Sequence, residues 1–402
     1  MTASATRTKC TGLSLVLWSL WSIAAIIGAV GLYQRLVHGS QAADFSSYVP
    51  WGLWVTAYIY CSGLSAGAFL LAAAAYALNI KALRPIAPLC LVVALVSLLM
   101  GLLAIGLDLG HMERAVLVFV RPQFHSMMTW MVWFYAAYAV VLLLMLSRSA
   151  KATLPGGRPG AQEQKALGGL GLIGILLTLG FAGGAGALFG TVAAHEYWHT
   201  SLYPILFLVG ALTSGTALVT ALVAWGWPQR DEAWRALLHL LGRMVLVLVL
   251  TEFVLEISEF LVPAWYGIGA GYEMAMYVLF GPSWYVFWIF HVLLGVVVPL
   301  VLLAMARGPG SMGLAGALVA VMFFAVRLNL VVPGLISPAI QGIGEAYTDP
   351  VGDKLSFLYT PSWFEWQVFL GIIAAGVALW YVGMKLVPGI FPHSSEGSEV
   401  RS

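Results

Sequence analysis

Long apolar segments recur along this chain, and they constrain its fold more than any other feature. Each has about 20 residues or more, which is the length that a helix needs to cross the hydrocarbon core of a bilayer. Only 9% of the 402 residues are charged, against roughly 25% in soluble domains, so the chain could not cover a water-exposed surface. The sequence therefore predicts an all-α polytopic membrane protein with about ten transmembrane helices, at residues 12–34, 51–79, 86–107, 127–146, 167–193, 201–226, 238–262, 283–305, 312–333 and 364–387.

Lysine and arginine are distributed unevenly between the two ends of these helices. If ten helices cross the membrane, both termini and the even-numbered loops share one side, and 14 of the 19 Lys and Arg residues lie there. Cytoplasmic loops carry such an excess, so we expect both termini to be cytoplasmic. The basic residues are too scattered for a nucleic-acid-binding surface. The other side holds only Arg35, Arg114, Arg121 and Lys354, and Arg327 lies within a span.

The chain divides at a stretch rich in glycine and proline, residues 154–160. The first predicted helix is longer than the roughly 7–15-residue apolar core of a signal peptide, so we interpret it as a retained signal anchor. The expected parts are a cytoplasmic N-terminus (1–11), helices one to four with the outer loop 108–126 (12–150), a cytoplasmic linker (151–166), helices five to ten (167–388) and a cytoplasmic tail (389–402).

A faint repeat relates the second and sixth predicted helices. Residues 65–70 read SAGAFL, and residues 213–218 read TSGTAL. Small residues let membrane helices approach closely, so the similarity indicates either a duplicated four-helix unit or generic close packing. We predict two four-helix bundles with flanking helices.

Ligands for metal or haem are scarce in this chain. The three cysteines, Cys10, Cys61 and Cys90, are far apart in sequence, whereas an iron–sulfur cluster needs about four thiolates and a structural zinc site needs four clustered ligands. Only His291 lies well inside a predicted span, so no matched pair of histidines presents itself as axial ligands. We therefore expect that this chain itself binds no haem, iron–sulfur cluster or metal ion.

Unusual polar motifs lie in the short outer loops. Residues 108–114 read DLGHMER, followed by RPQF at 121–124 and MTW at 128–130. This order resembles the NrfD/PsrC family pattern D-L-G-R-P-E-R, R-P-x-F and M-T-W, with His111 and Met112 where Arg and Pro are usual. The segments WGLW at 51–54 and YWHTSLYPILF at 197–207 are also similar to family motifs, and PSWFEW at 361–366 is similar to its ten-helix branch.

The resemblance implies a subunit that binds a quinone near the outer face of a bacterial cytoplasmic membrane. Menaquinone or ubiquinone would be its exchangeable substrate, and the subunit would carry no redox cofactor of its own. A ferredoxin-like iron–sulfur subunit would dock on the outer face. Further catalytic or cytochrome subunits would complete a respiratory oxidoreductase complex.

Quinone reduction takes up two protons with two electrons, so its site needs a titratable group between apolar walls. We predict Asp108 and His111 as the catalytic residues, because they lie within a turn of each other at the outer end of the third helix, where a low dielectric perturbs pKa values. The alternative is that Asp108 caps the helix and pairs with Arg114. The predicted walls of the quinone site are Trp51, Trp54, Tyr58 and Trp130. Its predicted second histidine is His195. Loop-holding or partner-contacting roles are predicted for Glu113, Arg114 and Arg121.

Three carboxylates, Glu252, Glu256 and Glu259, lie within the seventh predicted helix. Their spacings of four and three residues put them on one helical face, and carboxylates within a span normally face the protein interior. His291 and Arg327 enter the same depth range. Together the five residues predict either a proton path or a structural network that fixes the helices. Buried carboxylates beside an arginine also suit a proton-coupled secondary transporter, which is the alternative function.

Overall fold

The structure is a computed structural model, and it describes residues 12–152, 160–305, 308–340, 342–343, 355–387 and 390–391. All regular structure within these ranges is helical, which confirms the predicted all-α membrane fold. The expected N-terminal segment 1–11, the centre of the linker (153–159) and the tail from residue 392 onward lie outside the described residues. Cys10 and Lys354 lie outside them as well.

The α-helices of the described residues fall close to the predicted spans, within a few residues at most ends. They are α1 (Gly12–His38), α2 (Leu53–Ala77), α3 (Ala87–Asp108), α4 (Leu117–Val120), α5 (Met127–Ala152), α6 (Ala161–Thr178), α7 (Gly184–Gly190), α8 (Tyr203–Gly226), α9 (Glu232–Tyr266), α10 (Gly269–Phe280), α11 (Val298–Met305), α12 (Pro309–Ile336) and α13 (Trp363–Leu386).

Membrane crossing follows from length and composition. Nine helical stretches of the described residues are long and apolar enough to cross, so the chain is a multi-pass membrane protein. The α9 helix is not among them, but it has 35 residues, which is about 52 Å at 1.5 Å per residue. Because α9 packs against α8 and α12, which are both among the nine, we count it as the tenth crossing helix.

The two repeated segments meet where α2 crosses α8. A Cβ on Gly67 would overlap the backbone of Ala211, and a Cβ on Gly215 would lie 2.6 Å from the backbone nitrogen of Ala68. Only glycine permits this approach. Since α2 also packs on α3 and α6, and α8 also packs on α9 and α12, this crossing positions most of the molecule.

Contacts between segments that connect or flank the helices are seen at two ends of the molecule. At the end predicted to be outside, the backbone N–H of Thr360 donates to Asp44 at 3.1 Å, and the rings of Tyr48 and Phe357 stack at 4.2 Å. At the other end, Arg148 pairs with Glu163 at 3.5 Å. Residues 39–52 and 355–362 therefore meet at the first of these ends. We call the first end the outer end.

Two features depart from the predicted helices. The loop after α9 contains the unpredicted α10, which is entered through Gly267 and Gly269 with φ values of 66° and 85°. The segments Leu179–Gly183 and Val286–Val297 are π-helical, with i→i+5 instead of i→i+4 hydrogen bonds. π-Helical turns are frequent at functional sites, and the longer segment carries His291.

Candidate functional site

The outer half of α9 presents three carboxylates to the protein interior. Glu252 and Glu256 have 1% and 6% of their surface exposed, and Glu259 is half-buried nearer the outer end. All three line one small cavity. No described residue donates a hydrogen bond to either carboxylate oxygen of Glu252. A buried carboxyl group without a hydrogen-bond donor is costly, so Glu252 is a candidate for binding a proton or a polar group of a ligand.

His291 faces Glu256 from the π-helical segment. Its Nε2 lies 2.9 Å from Oε2 of Glu256, although the two are not aligned as a hydrogen bond. The imidazole is buried between the rings of Phe287 and Phe323. The two side chains form a close acid–base pair.

Arg327 on α12 supplies positive charge to this group. It is buried, its guanidinium carbon lies 4.4 Å over the ring of Phe207, and its electrostatic partners are the three carboxylates of α9. Gly210 leaves it room: a Cβ there would lie 2.7 Å from Oε1 of Glu252 and closer still to the guanidinium. Three acids therefore share one guanidinium. We call these residues the carboxylate cluster: Glu252, Glu256, Glu259, His291 and Arg327.

A proline in α12 fixes the wall opposite α9. Pro333 has no N–H, so the carbonyl of Asn329 one turn earlier lacks its helical donor, and it accepts the hydroxyl of Tyr197 at 3.1 Å. The indole N–H of Trp198 donates to the carbonyl of Leu330 at 2.8 Å. These two bonds hold the loop 191–202 against α12, beside the outer end of the cluster.

Three adjoining cavities meet at the carboxylate cluster, and Phe260 lines all of them. The inner cavity, lined by the whole cluster and by Tyr203, has a volume of about 30 Å³, which is room for roughly one or two water molecules. The vestibule, about 350 Å³, lies at the outer end between the loop 191–202, Glu259 and α10. The groove, about 260 Å³, lies between α9 and the π-helical segment and is apolar apart from Glu256. Glu259 therefore faces the vestibule, and Glu256 faces the groove.

Asp108 is the last residue of α3, and its carboxylate lies mostly buried beside Arg35 of α1. The Arg35 guanidinium donates to the carbonyls of Leu107 at 2.6 Å and Leu109 at 2.8 Å, which α3 leaves without helical donors at its end. Oδ1 of Asp108 has no hydrogen-bond partner among the described residues. The cation beside Asp108 is thus Arg35 of α1 and not the loop residue Arg114.

A second buried acid, Glu365 in the first turn of α13, lies close to Asp108. Its Oε2 accepts the backbone N–H groups of Ser362 at 3.0 Å and Asp44 at 3.2 Å, and its Oε1 accepts the hydroxyl of Tyr359. Burial and the adjacent carboxylate raise the pKa of Tyr359 far above its ordinary value. The indole of Trp54 donates to the Glu365 carbonyl at 3.1 Å. We call these residues the outer-end assembly: Arg35, Trp54, Asp108, Tyr359 and Glu365.

His111, the predicted partner of Asp108, is exposed on the outer loop. The chain leaves the helix at Leu109 with ψ of 125°, and the His111 side chain is 62% exposed with its Nδ1 2.9 Å from Glu113. A hydrogen bond from its own backbone N–H, and another with His111, hold the pKa of Glu113 below its ordinary value. Arg114 and Arg121 are exposed on the same loop. The structure does not bring Asp108 and His111 into one site.

The other predicted quinone-site residues occupy separate places. Trp51 stacks on Trp198 at 6.1 Å, and the ring of His195 lies 4.9 Å from the same indole. Tyr58 lines a small cavity next to the guanidinium of the cluster. Trp130 is exposed on α5. These side chains therefore do not enclose one pocket around Asp108.

Comparison with known proteins identifies the family. The sequence profile described as Polysulphide reductase, NrfD matches residues 42–339, which is more than half of the chain. The chain belongs to the NrfD family. It is 33% identical to a selenate reductase subunit of Mesobacillus selenatarsenatis, over 92% of this chain and 93% of that protein. It is 28% identical to the Hdr-like menaquinol oxidoreductase integral membrane subunit of Archaeoglobus fulgidus (94% and 95% covered), and 22% identical to the menaquinone reductase integral membrane subunit of Nitratidesulfovibrio vulgaris (96% and 95% covered).

Two buried residues of this NrfD-family chain, Arg35 and Glu365, are absent from the sequence-based site. Part of the signal was readable: Ser362 and Glu365 form a capping box, whose S-x-x-E spacing before an apolar run marks a helix start. Arg35, in the last turn of α1, looks like an ordinary interfacial cation. Its contact with the end of α3 joins positions more than 70 residues apart, which local sequence pattern does not predict.

Proposed function

We propose that this NrfD-family chain is the quinone-interacting membrane subunit of a respiratory oxidoreductase complex. The proposal places it in a bacterial cytoplasmic membrane with both termini in the cytoplasm. Menaquinone or ubiquinone is its exchangeable substrate. An iron–sulfur subunit docks at the outer end, together with further catalytic or cytochrome subunits. Relatives named for menaquinol and menaquinone chemistry, similar over nearly their whole length, support the substrate class.

The carboxylate cluster and its opening at the outer end carry this proposal. A quinone takes up two protons with two electrons, and a quinol releases both, so its protein partner needs buried proton-exchanging groups with a route to water. Glu259 supplies the route, because it lines both the inner cavity and the vestibule. In this proposal Glu252, Glu256 and His291 hold protons, Glu259 passes them to the vestibule, and the charge of Arg327 stabilises the ionised acids.

The outer loop 108–126 supports the docking of a partner at the same end. No residue of Met112–Val116 or of α4 is buried. Apolar side chains such as Val116 and Val120 are exposed there beside the charged groups of Glu113, Arg114 and Arg121. A mixture of apolar and arginine side chains suits a protein interface. We propose that this loop is covered by the iron–sulfur subunit.

Glu259→Gln tests the proton route. The complex is purified from native membranes, reconstituted in liposomes and supplied with a short-chain quinol and ferricyanide; the reverse reaction uses a quinone and reduced viologen. We expect an iron–sulfur protein to co-purify and quinone analogues to inhibit turnover. Loss of a proton-relaying carboxylate should slow turnover at least roughly tenfold, since positioned acid–base groups contribute about 100-fold or more. The matched control is Glu273→Gln, an exposed carboxylate on α10 outside the vestibule lining.

Two results would contradict the proposal. One is a purified chain without an iron–sulfur partner and without quinone turnover in either direction. The other is an equal rate for Glu259→Gln and the control, which would remove Glu259 from the proton route. Proton-driven solute uptake by the isolated chain in liposomes would favour the secondary transporter instead.

A further inference from the structure

The groove beside the carboxylate cluster has the form of a ligand site that is open to the membrane. Its walls are apolar side chains of α9 and of the π-helical segment, and two of them, Ile257 and Leu261, are exposed on a helix surface that faces lipid. Its volume of about 260 Å³ is slightly below the roughly 300–1,000 Å³ of sites that enclose a drug-sized ligand. The groove therefore suits a flat ring system whose tail remains in the bilayer.

One polar side chain interrupts the apolar lining. Glu256 is more than nine-tenths buried, yet it lines the groove and the inner cavity. Behind it are His291, whose Nε2 has no aligned hydrogen-bond partner, and Glu252, whose two oxygens have none among the described residues. Ionisable groups at this depth are expensive, and acyl chains offer them no hydrogen bonds. A fitting ligand is apolar and flat, with an oxygen that can donate or accept a proton.

The π-helical segment shapes this site. A π turn closes with i→i+5 hydrogen bonds and so holds more residues than an α turn, which changes the direction of successive side chains. His291 thereby meets Glu256, while Phe287 and Trp288 of the same segment line the groove. The indole N–H of Trp288 donates to the carbonyl of Leu279 at 2.9 Å, which fixes one edge of the groove.

We infer that this groove takes the ring of a quinol or quinone from the membrane and places one ring oxygen against Glu256. The inference rests on the proposed function for the substrate class, and it adds the location. A quinol hydroxyl donates to the Glu256 carboxylate; a quinone carbonyl accepts from the protonated acid or from His291. The ring lies between Phe287 and the side chains of α9. Protons then pass between Glu256 and the vestibule by way of Glu259.

Photolabelling with an azido-quinone tests the location. The purified complex in liposomes is illuminated with the probe, with and without excess unlabelled quinone, and labelled peptides are identified by mass spectrometry. We expect labels on residues 253–264 or 279–292. Ile257→Trp, which fills the groove, should reduce this labelling and raise the KM for quinol, each by roughly tenfold. The matched control is Val247→Trp, also lipid-exposed on α9 but outside the groove lining and about 15 Å from Ile257 along the helix.

The outcomes separate the location from the function. Labels on the loop 108–126 or the outer-end assembly, unchanged by Ile257→Trp, would overturn the groove and leave the proposed function intact. No quinone-protected label anywhere, together with no turnover, would overturn both. Because Ile257 faces lipid, we expect Ile257→Trp to fold, and co-purification of the partner verifies this. Leu261→Trp, one turn nearer the outer end of the groove, is the second variant if the first does not assemble.

Discussion

The outer half of the molecule contains two buried acidic groups of residues that differ in how their charges are compensated. In the outer-end assembly, Arg35 lies beside Asp108, and the Glu365 carboxylate accepts several hydrogen bonds. In the carboxylate cluster, Glu252 has no donor among the described residues, and three acids share Arg327. A well-satisfied carboxylate such as that of Glu365 fixes a structure, whereas incompletely compensated acids such as Glu252, and Asp108 at its Oδ1, are typical of functional sites.

The two groups also differ in what they connect. Arg35 ties α1 to the end of α3, and Trp54 ties α2 to α13, so the outer-end assembly joins helices. The carboxylate cluster lies between the vestibule and the groove, so it connects a cavity at the outer end with a groove on the apolar surface of α9. The acid that carries the family motif and the acid that lines the open cavities are therefore different residues, and substituting each in turn shows which one reacts.

The largest effect is expected from Glu256→Gln. The change keeps the shape and removes the acid, so quinone turnover should fall roughly 100-fold, the lower range for a positioned acid–base group. Turnover is measured with the reconstituted complex, and partner co-purification measures assembly. Glu232→Gln is the control, since Glu232 is an exposed carboxylate in the first turn of the same helix.

Two outcomes of the Glu256→Gln experiment would contradict a direct role of Glu256 in the reaction. Full turnover in Glu256→Gln would remove the carboxylate cluster from the reaction. A complex that no longer assembles would show that the cluster fixes the helices, which is the structural alternative predicted from the sequence. Glu256→Asp, which keeps the acid, separates a lost proton carrier from a packing defect, because only the former is restored in part.

A smaller effect is expected from Asp108→Asn. Oδ1 of Asp108 has no hydrogen-bond partner among the described residues and its charge faces Arg35, so an amide of the same shape fits this place. We expect turnover to fall by less than about tenfold, below the range for a direct proton donor. If turnover falls roughly 100-fold in a complex that still assembles, Asp108 is the proton donor that the sequence motif indicates, and the comparison is reversed.

Hydropathy predicts the fold well, for a physical reason. A span needs about 20 apolar residues, so each helix is visible in its own segment of sequence, and α2, α8 and α13 begin or end within about two residues of the predicted positions. The one-face spacing of the three acids on α9 is equally local. It depends only on the helical repeat, and the structure gathers all three around one cavity.

Contacts between distant segments are much less visible in the sequence. Nothing local indicates that Arg35 satisfies the end of α3, or that a π-helical segment turns His291 towards Glu256. The motif places Asp108 and His111 three residues apart, but the helix ends at Leu109, so Asp108 lies beside Arg35 whereas His111 is exposed on the outer loop. Short sequence spacing predicts proximity within a helix and fails at the residue where the helix ends.

The smallest effect is expected from His111→Ala. The imidazole is exposed, and its contact in the structure is with Glu113, so quinone turnover should change by no more than about two-fold, as for other surface substitutions.

The pKa of Glu113 is below the ordinary 4.5 when folded. The stabilising interaction between the ionised Glu113 carboxylate and His111 is therefore present above pH 4.5. It is lost only as the pH falls through the lower pKa of Glu113 in the folded protein. The turnover–pH profiles of wild type and variant should coincide through the neutral range. A divergence near neutral pH, with the partner still bound, would return His111 to the proton chemistry and show that the partner subunit reshapes the outer loop.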